Sequence, residues 1–139
     1  MKNTNKKGFT LVELVIVIAV IAILAAVLIP TFTSVITRAN QSSRLQSIKA
    51  AVDEEYVKFV ADEHQVPTYI KVESDGTVTF AKATGTNYVQ LTEGKYYELN
   101  DVYKVYLKWS ADGYEILTLT EAQESSYSTY LVTLPTTTT

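Results

Sequence analysis

From Phe9 to Ile29 the chain carries a single charge, Glu13, and Leu14 to Ile29 is sixteen consecutive apolar residues. No other stretch constrains the folding of this sequence as strongly. Wound as an α-helix, these 21 residues extend about 32 Å at roughly 1.5 Å each, which matches a hydrocarbon core about 30 Å thick. The richness in Val and Ile would suit a strand. The length without turn signals argues against one, and a lone strand in lipid leaves its backbone unpaired. Lys2, Lys6 and Lys7 precede the run, with no acid among residues 1–8. Flanking bases stay in the cytoplasm, so the expected orientation is N-terminus inside and the remainder outside.

The rest of the chain has a different character. Of 139 residues 19% are charged, and all ten tyrosines follow residue 55. The net charge is −3; removing residues 1–8 takes three of the 12 bases and leaves nine against 15 acids. An acidic remainder does not favour nucleic acid as a general partner, although it does not exclude it. Cysteine is absent, which removes disulfides, thiolate metal sites and cysteine nucleophiles. This is not the composition of an ordinary cytosolic enzyme.

A cleaved secretory signal, a plain membrane anchor and a processed leader with its helix all begin in this way. An ordinary signal has a shorter apolar core and a small-x-small site after it; here the run ends in Val27-Leu28-Ile29-Pro30. A plain anchor does not explain Glu13, since a carboxylate at mid-membrane costs about 2.5–3.5 kcal/mol. Gly8-Phe9-Thr10-Leu11-Val12-Glu13, between a basic leader and an apolar helix, closely resembles the cleavage motif of the type IV pilin and pseudopilin family. Pro30 falls where helices of that family commonly carry a proline. The resemblance covers residues 1 to about 40. The missing cysteines depart from the disulfide-looped pilins.

The resemblance implies roles residue by residue. A prepilin peptidase would cut after Gly8, and Phe9 would become a methylated N-terminus. Glu13 would meet the Phe9 amine of a neighbouring subunit in a growing filament. A carboxylate can neutralise a cationic amine at the edge of a low-dielectric layer, and a desolvated pair interacts more strongly than an exposed one. Ala19, Ala22 and Ala26 share a helical face, where small side chains permit close helix approach.

Pro30 is expected to kink the helix without ending it. Leu45, Ile48, Val52, Tyr56 and Phe59 form one apolar stripe at helical spacing, and Pro67 closes the helix by disfavouring helical geometry at Val66. One helix is therefore expected from about residue 9 to 63. Strands are expected at 68–73 and 77–81 around Asp75-Gly76, at 88–91, at 102–109 and 114–120 around Asp112-Gly113, and at the edge over 130–134. Pro135 and the four threonines after it read as a frayed tail. The fold class is α+β: a long N-terminal helix, membrane-spanning in its first half, packs by its second half against a small antiparallel sheet. The expected organisation is a leader at 1–8, a transmembrane or filament-core helix at 9–30, and an extracellular domain at 31–139 made of helix 31–63 and sheet 68–134.

Residues that carry chemistry are sparse. His64 is the single histidine and sits where a solvated helix end is expected. Asp112, Glu115, Glu121 and Glu124 lack the spaced D-x-D pattern of a calcium loop. Arg38, Arg44 and Lys49 do not share a helical face and suit ion pairs between subunits better than DNA capture. No phosphate loop, dinucleotide fingerprint or nucleophile elbow occurs. Neither an enzyme nor a cofactor or metal is expected.

The resemblance implies a structural subunit of a type IV pilus or pilus-like filament. It would be membrane-anchored as a precursor and would join a homo-oligomeric surface filament. Its partners would be a prepilin peptidase, a membrane assembly platform, a motor ATPase, and lipid before assembly. The alternatives are a pseudopilin of a type II secretion or competence DNA-uptake system, and a membrane-tethered binding domain that never polymerises.

Overall fold

The computed structural model describes residues 8–135; the expected leader up to residue 7 and the last four threonines lie outside it. The chain divides into two compact units, Met1–Asn40 and Gln41–Thr139. Helix α1 is Leu11–Glu63; its residues to Asn40 belong to the first unit and those from Gln41 to the second.

In the first unit every large apolar side chain from Phe9 to Ile36 is at least 50% exposed. Pro30 lies inside α1, so the helix passes through it as expected. The missing Pro30 N–H leaves the Ala26 carbonyl without its helical donor. Beyond it, hydroxyls turn back on their own helix: Thr31 Oγ1 donates to the Leu28 carbonyl at 2.7 Å, Thr33 to Ile29 at 3.0 Å and Thr37 to Thr33 at 2.9 Å. Such back-bonding satisfies each hydroxyl without an outside partner and tends to bend a helix.

The second unit has a core of its own. From α1, Val52 is fully buried, while Leu45, Ile48, Tyr56 and Phe59 pack against the core, which is the expected stripe. Two sheets complete it. In the first, β1 (Tyr69–Val72) lies between β2 (Val78–Ala81) and β3 (Val89–Gln90), antiparallel to both. The β1–β2 turn uses Gly76 at φ 88°, a left-handed value that glycine adopts without cost, and Asp75 Oδ1 accepts from the Thr77 N–H at 2.9 Å.

The second sheet has the order β6 (Gly113–Thr118), β5 (Val105–Ser110), β4 (Tyr96–Asn100), β7 (Leu131–Val132). Three departures from the sequence reading occur here. β4 was not anticipated: it buries Tyr97 and Leu99, but Tyr96 on the opposite face masks the alternation. β5 starts at Val105 instead of Val102, because Asn100 Oδ1 accepts from the Tyr103 N–H at 2.8 Å and Lys104 sits at φ 53°, which makes 101–104 a turn. β7 pairs parallel to β4, with Tyr96 opposite Leu131, so the otherwise antiparallel sheet ends on a parallel edge.

A short helix, α2 (Glu121–Ser126), was also not anticipated. Six residues are too few to show a period. Its start is nonetheless written in Thr120-x-x-Gln123: the Thr120 side chain accepts from the Gln123 N–H, and the Gln123 side chain accepts from the Thr120 N–H. This is a capping box, which satisfies two of the orphan donors at a helix start. Glu124 of α2 accepts from the Tyr106 hydroxyl, which also faces Glu98 at 3.2 Å. Tyr106 is thereby buried on the opposite side of β5 from Val105 and Leu107.

Aromatic rings join the helix to both sheets. Tyr56 meets Phe80 edge-on at 5.6 Å and Tyr114 at 4.9 Å, and Trp109 stacks on Tyr114 at 6.4 Å. The Tyr114 hydroxyl donates to Asp53 on α1. Tyr97, 1% exposed, carries its hydroxyl from the second sheet to the edge of the first. There it donates to the Gln90 carbonyl and accepts from the Thr92 N–H, both at 2.7 Å.

Candidate functional site

The motif Gly8-Phe9-Thr10-Leu11-Val12-Glu13 straddles the start of α1. Gly8, Phe9 and Thr10 precede the helix, which begins at Leu11. Phe9 is 95% exposed, so it contributes to no core. A Cβ added at Gly8 would meet nothing within 4 Å, so packing does not require glycine there.

Glu13 is engaged within its own chain. Its carboxylate accepts from the Thr10 N–H at 2.9 Å, and its own N–H donates to Thr10 Oγ1 at 3.3 Å. The first helical bond runs from the Leu14 N–H to the Thr10 carbonyl at 3.2 Å. Thr10 is thus the N-cap and Glu13 the third helical residue of a second capping box, and the acid also suits the positive end of the helix dipole. Sequence reasoning paired Glu13 with a neighbour's amine and overlooked this partner three residues away. The Thr-x-x-Glu spacing before an apolar run is its signal.

The other candidates stay apart. His64 follows α1 at φ 52°, exposed, its N–H donating to the Val60 carbonyl at 2.9 Å. Asp112 and Glu115 lie on the β5–β6 hairpin, whereas Glu124 is held by Tyr106 and lies 3.6 Å from Lys104. Among the described residues no three His, Cys, Asp or Glu side chains gather as metal ligands. Arg44 lies over the Tyr103 ring at 5.8 Å, and Lys49 is exposed.

An exposed apolar helix opened by a Gly-Phe junction and one carboxylate has counterparts. Residues 3–29 match the prokaryotic N-terminal methylation motif. Over 38 residues the chain is 66% identical to the type IV wide pilus major component PilA4 of Thermus thermophilus, covering 27% of this chain and 29% of that one. Its N-terminal segment is similar to that of type IV pilins. The pilin likeness extends to 58 residues at 47% identity with the type IV major pilin protein PilE1 of Neisseria gonorrhoeae, 40% of this chain and 35% of the relative. With the type IV major pilin protein PilA of Myxococcus xanthus it is 48% over 48 residues, 34% of this chain and 22% of the relative. The matched segments thus span about a third or less of these pilins. No solved structure matches the chain.

Proposed function

We propose that this chain is a structural subunit of a type IV pilus or pilus-like filament and not an enzyme. It is made as a single-pass membrane precursor with its N-terminus in the cytoplasm, cut by a prepilin peptidase after Gly8, methylated at Phe9 and polymerised through its N-terminal helix. The observation that carries the reading is the coincidence at one helix start. A glycine that packing does not require is followed by a bare phenylalanine, a carboxylate and an apolar helix exposed all round. Gly8 needs an external reader, and a peptidase is one. The exposed helix needs an apolar surrounding, first lipid and then the helices of other copies, with dispersion contacts between helices replacing those to lipid tails.

On this reading Glu13 neutralises the Phe9 amine of an adjacent subunit. One carboxylate offers about four acceptor positions, so the capping bond to Thr10 leaves others for an amine. Pro30 inside the helix and the back-bonded hydroxyls after it support the expected bend. An assembly platform and a motor ATPase are the partners that would extract the subunit from the membrane.

The test is mass mapping of the N-terminus in membranes and in sheared surface material, with electron microscopy of the latter. The expected result is a chain beginning at methylated Phe9, found as the main component of thin filaments. A start at Met1, or beyond residue 25, overturns processing. Correct processing without filaments moves the chain to a pseudopilin or a tethered domain.

A further inference from the structure

Hydrolysis of the Gly8–Phe9 amide adds water at the Gly8 carbonyl carbon and breaks the C–N bond. The products are a Gly8 carboxylate and a Phe9 amine that takes up the proton. A helix continued upstream would obstruct this step, because it would commit the Gly8 carbonyl to the Val12 N–H and the Phe9 carbonyl to the Glu13 N–H. In the structure the Glu13 N–H is diverted to Thr10 Oγ1, and the first helical bond begins at the Thr10 carbonyl. The Glu13 carboxylate in turn holds the Thr10 N–H. Gly8 and Phe9 are left non-helical and exposed, with open space around Gly8.

We propose that the Thr10–Glu13 capping box holds the Gly8–Phe9 bond out of the helix and so presents it for cleavage, which makes Thr10 a positioning residue for processing. This role rests on the cleavage reading above. It also gives Glu13 two separable duties: a charge-independent one as a cap before cleavage, and a charge-dependent one in assembly after it. Glutamine serves as well as glutamate at the third position of such a box, and serine or asparagine can replace threonine as the N-cap.

The test follows the initial rate at which the full-length precursor, in lipid vesicles with a prepilin peptidase, loses residues 1–8. Thr10→Val and Glu13→Leu should be cut about three- to tenfold more slowly, the factor that corresponds to loss of a cap, with the final extent little changed. Thr10→Ser, Thr10→Asn and Glu13→Gln should keep the wild-type rate. Backbone carbon shifts of Phe9 and Thr10 in the uncut full-length chain give a second readout. They should move towards helical values in the slow variants alone. Wild-type rates for Thr10→Val and Glu13→Leu would overturn the proposal. So would Thr10→Asn and Glu13→Gln being as slow as those two, since the peptidase would then be reading the side chains directly. If the wild-type chain is not cut after Gly8, the cleavage reading fails and this role falls with it. If wild type is cut and only the variant pattern fails, the cleavage reading stands without the box.

Discussion

Ile18 and Ile70 are the same side chain in opposite circumstances, 56% exposed on α1 and fully buried under the first sheet. The contrast extends to their surroundings. Ile70 belongs to a core that the chain supplies itself, with Val52 from the helix, Phe80 from a neighbouring strand, and Leu107 and Trp109 from the second sheet. Around Ile18 every large neighbour from Phe9 to Ile36 is exposed as well. Apolar surface of this extent is not left in water by a soluble chain, since patches beyond a few hundred Å² mark interaction or membrane surfaces. The second unit closes a core; the first offers a surface for something outside the chain to close.

The sharpest way to break this comparison is at Glu13. Glu13→Gln keeps the capping acceptor and removes the charge, whereas Glu13→Leu removes both. Both should leave a membrane pool of subunit but abolish or sharply reduce filaments, because an incoming amine would be buried without a counter-charge at a cost of several kcal/mol. Filament yield against pool level measures this. Normal yield from Glu13→Gln would reduce Glu13 to a helix cap.

The next effect compares the two isoleucines directly. Ile70→Ala should lower the unfolding free energy of residues 31–139 by about 2–5 kcal/mol, through lost burial and a residual cavity. That fragment should itself be soluble, folded and monomeric by circular dichroism and light scattering. Ile18→Ala in the full-length chain should leave the denaturant midpoint of the second unit unchanged. Equal losses from both would show that the two regions do not differ as described.

Tyr97→Phe sharpens the account of how the two sheets are held together. Loss of the hydroxyl leaves the Thr92 N–H and the Gln90 carbonyl without their partner, and should cost the fragment about 1–3 kcal/mol in urea unfolding. A neutral outcome would assign the junction to the aromatic packing alone.

The smallest effect is alkaline. Burial, and then the hydrogen bond to Glu124, holds the Tyr106 hydroxyl well above the usual tyrosine range; burial and Asp53 do the same for Tyr114. The fold therefore favours the neutral phenol. That contribution is complete below about pH 10 and is lost as pH rises past the value at which unfolded tyrosine ionises. Urea midpoints of residues 31–139 should fall from pH 9 to pH 11, and Tyr106→Phe should flatten the fall. A midpoint independent of pH in wild type would contradict the burial of both hydroxyls.

Some of this was legible in the residues and some was not. The stripe from Leu45 to Phe59 repeats often enough to reveal its period, and the Asp75-Gly76 turn and the β5–β6 hairpin carry local chemistry. β4 escaped because Tyr96 is apolar on the face where alternation demands a polar residue. α2 escaped because six residues hold less than two turns. The two capping boxes lie in plain spacing, Thr10-x-x-Glu13 and Thr120-x-x-Gln123. The first was obscured by a role for Glu13 outside its own chain.

What the residues alone determined is the apolar helix and its junction. A run of 21 residues with one charge has a single solution in an apolar medium, because only a helix satisfies its backbone internally. Local hydrogen bonding at Thr10 then sets where that helix starts. The second unit was decided only by tertiary structure. Its division into two sheets, the parallel partner of β4 and the Glu124–Tyr106 pairing bring together residues distant in sequence. Which distant partners meet depends on the packing of the whole core, and period and spacing carry no record of it.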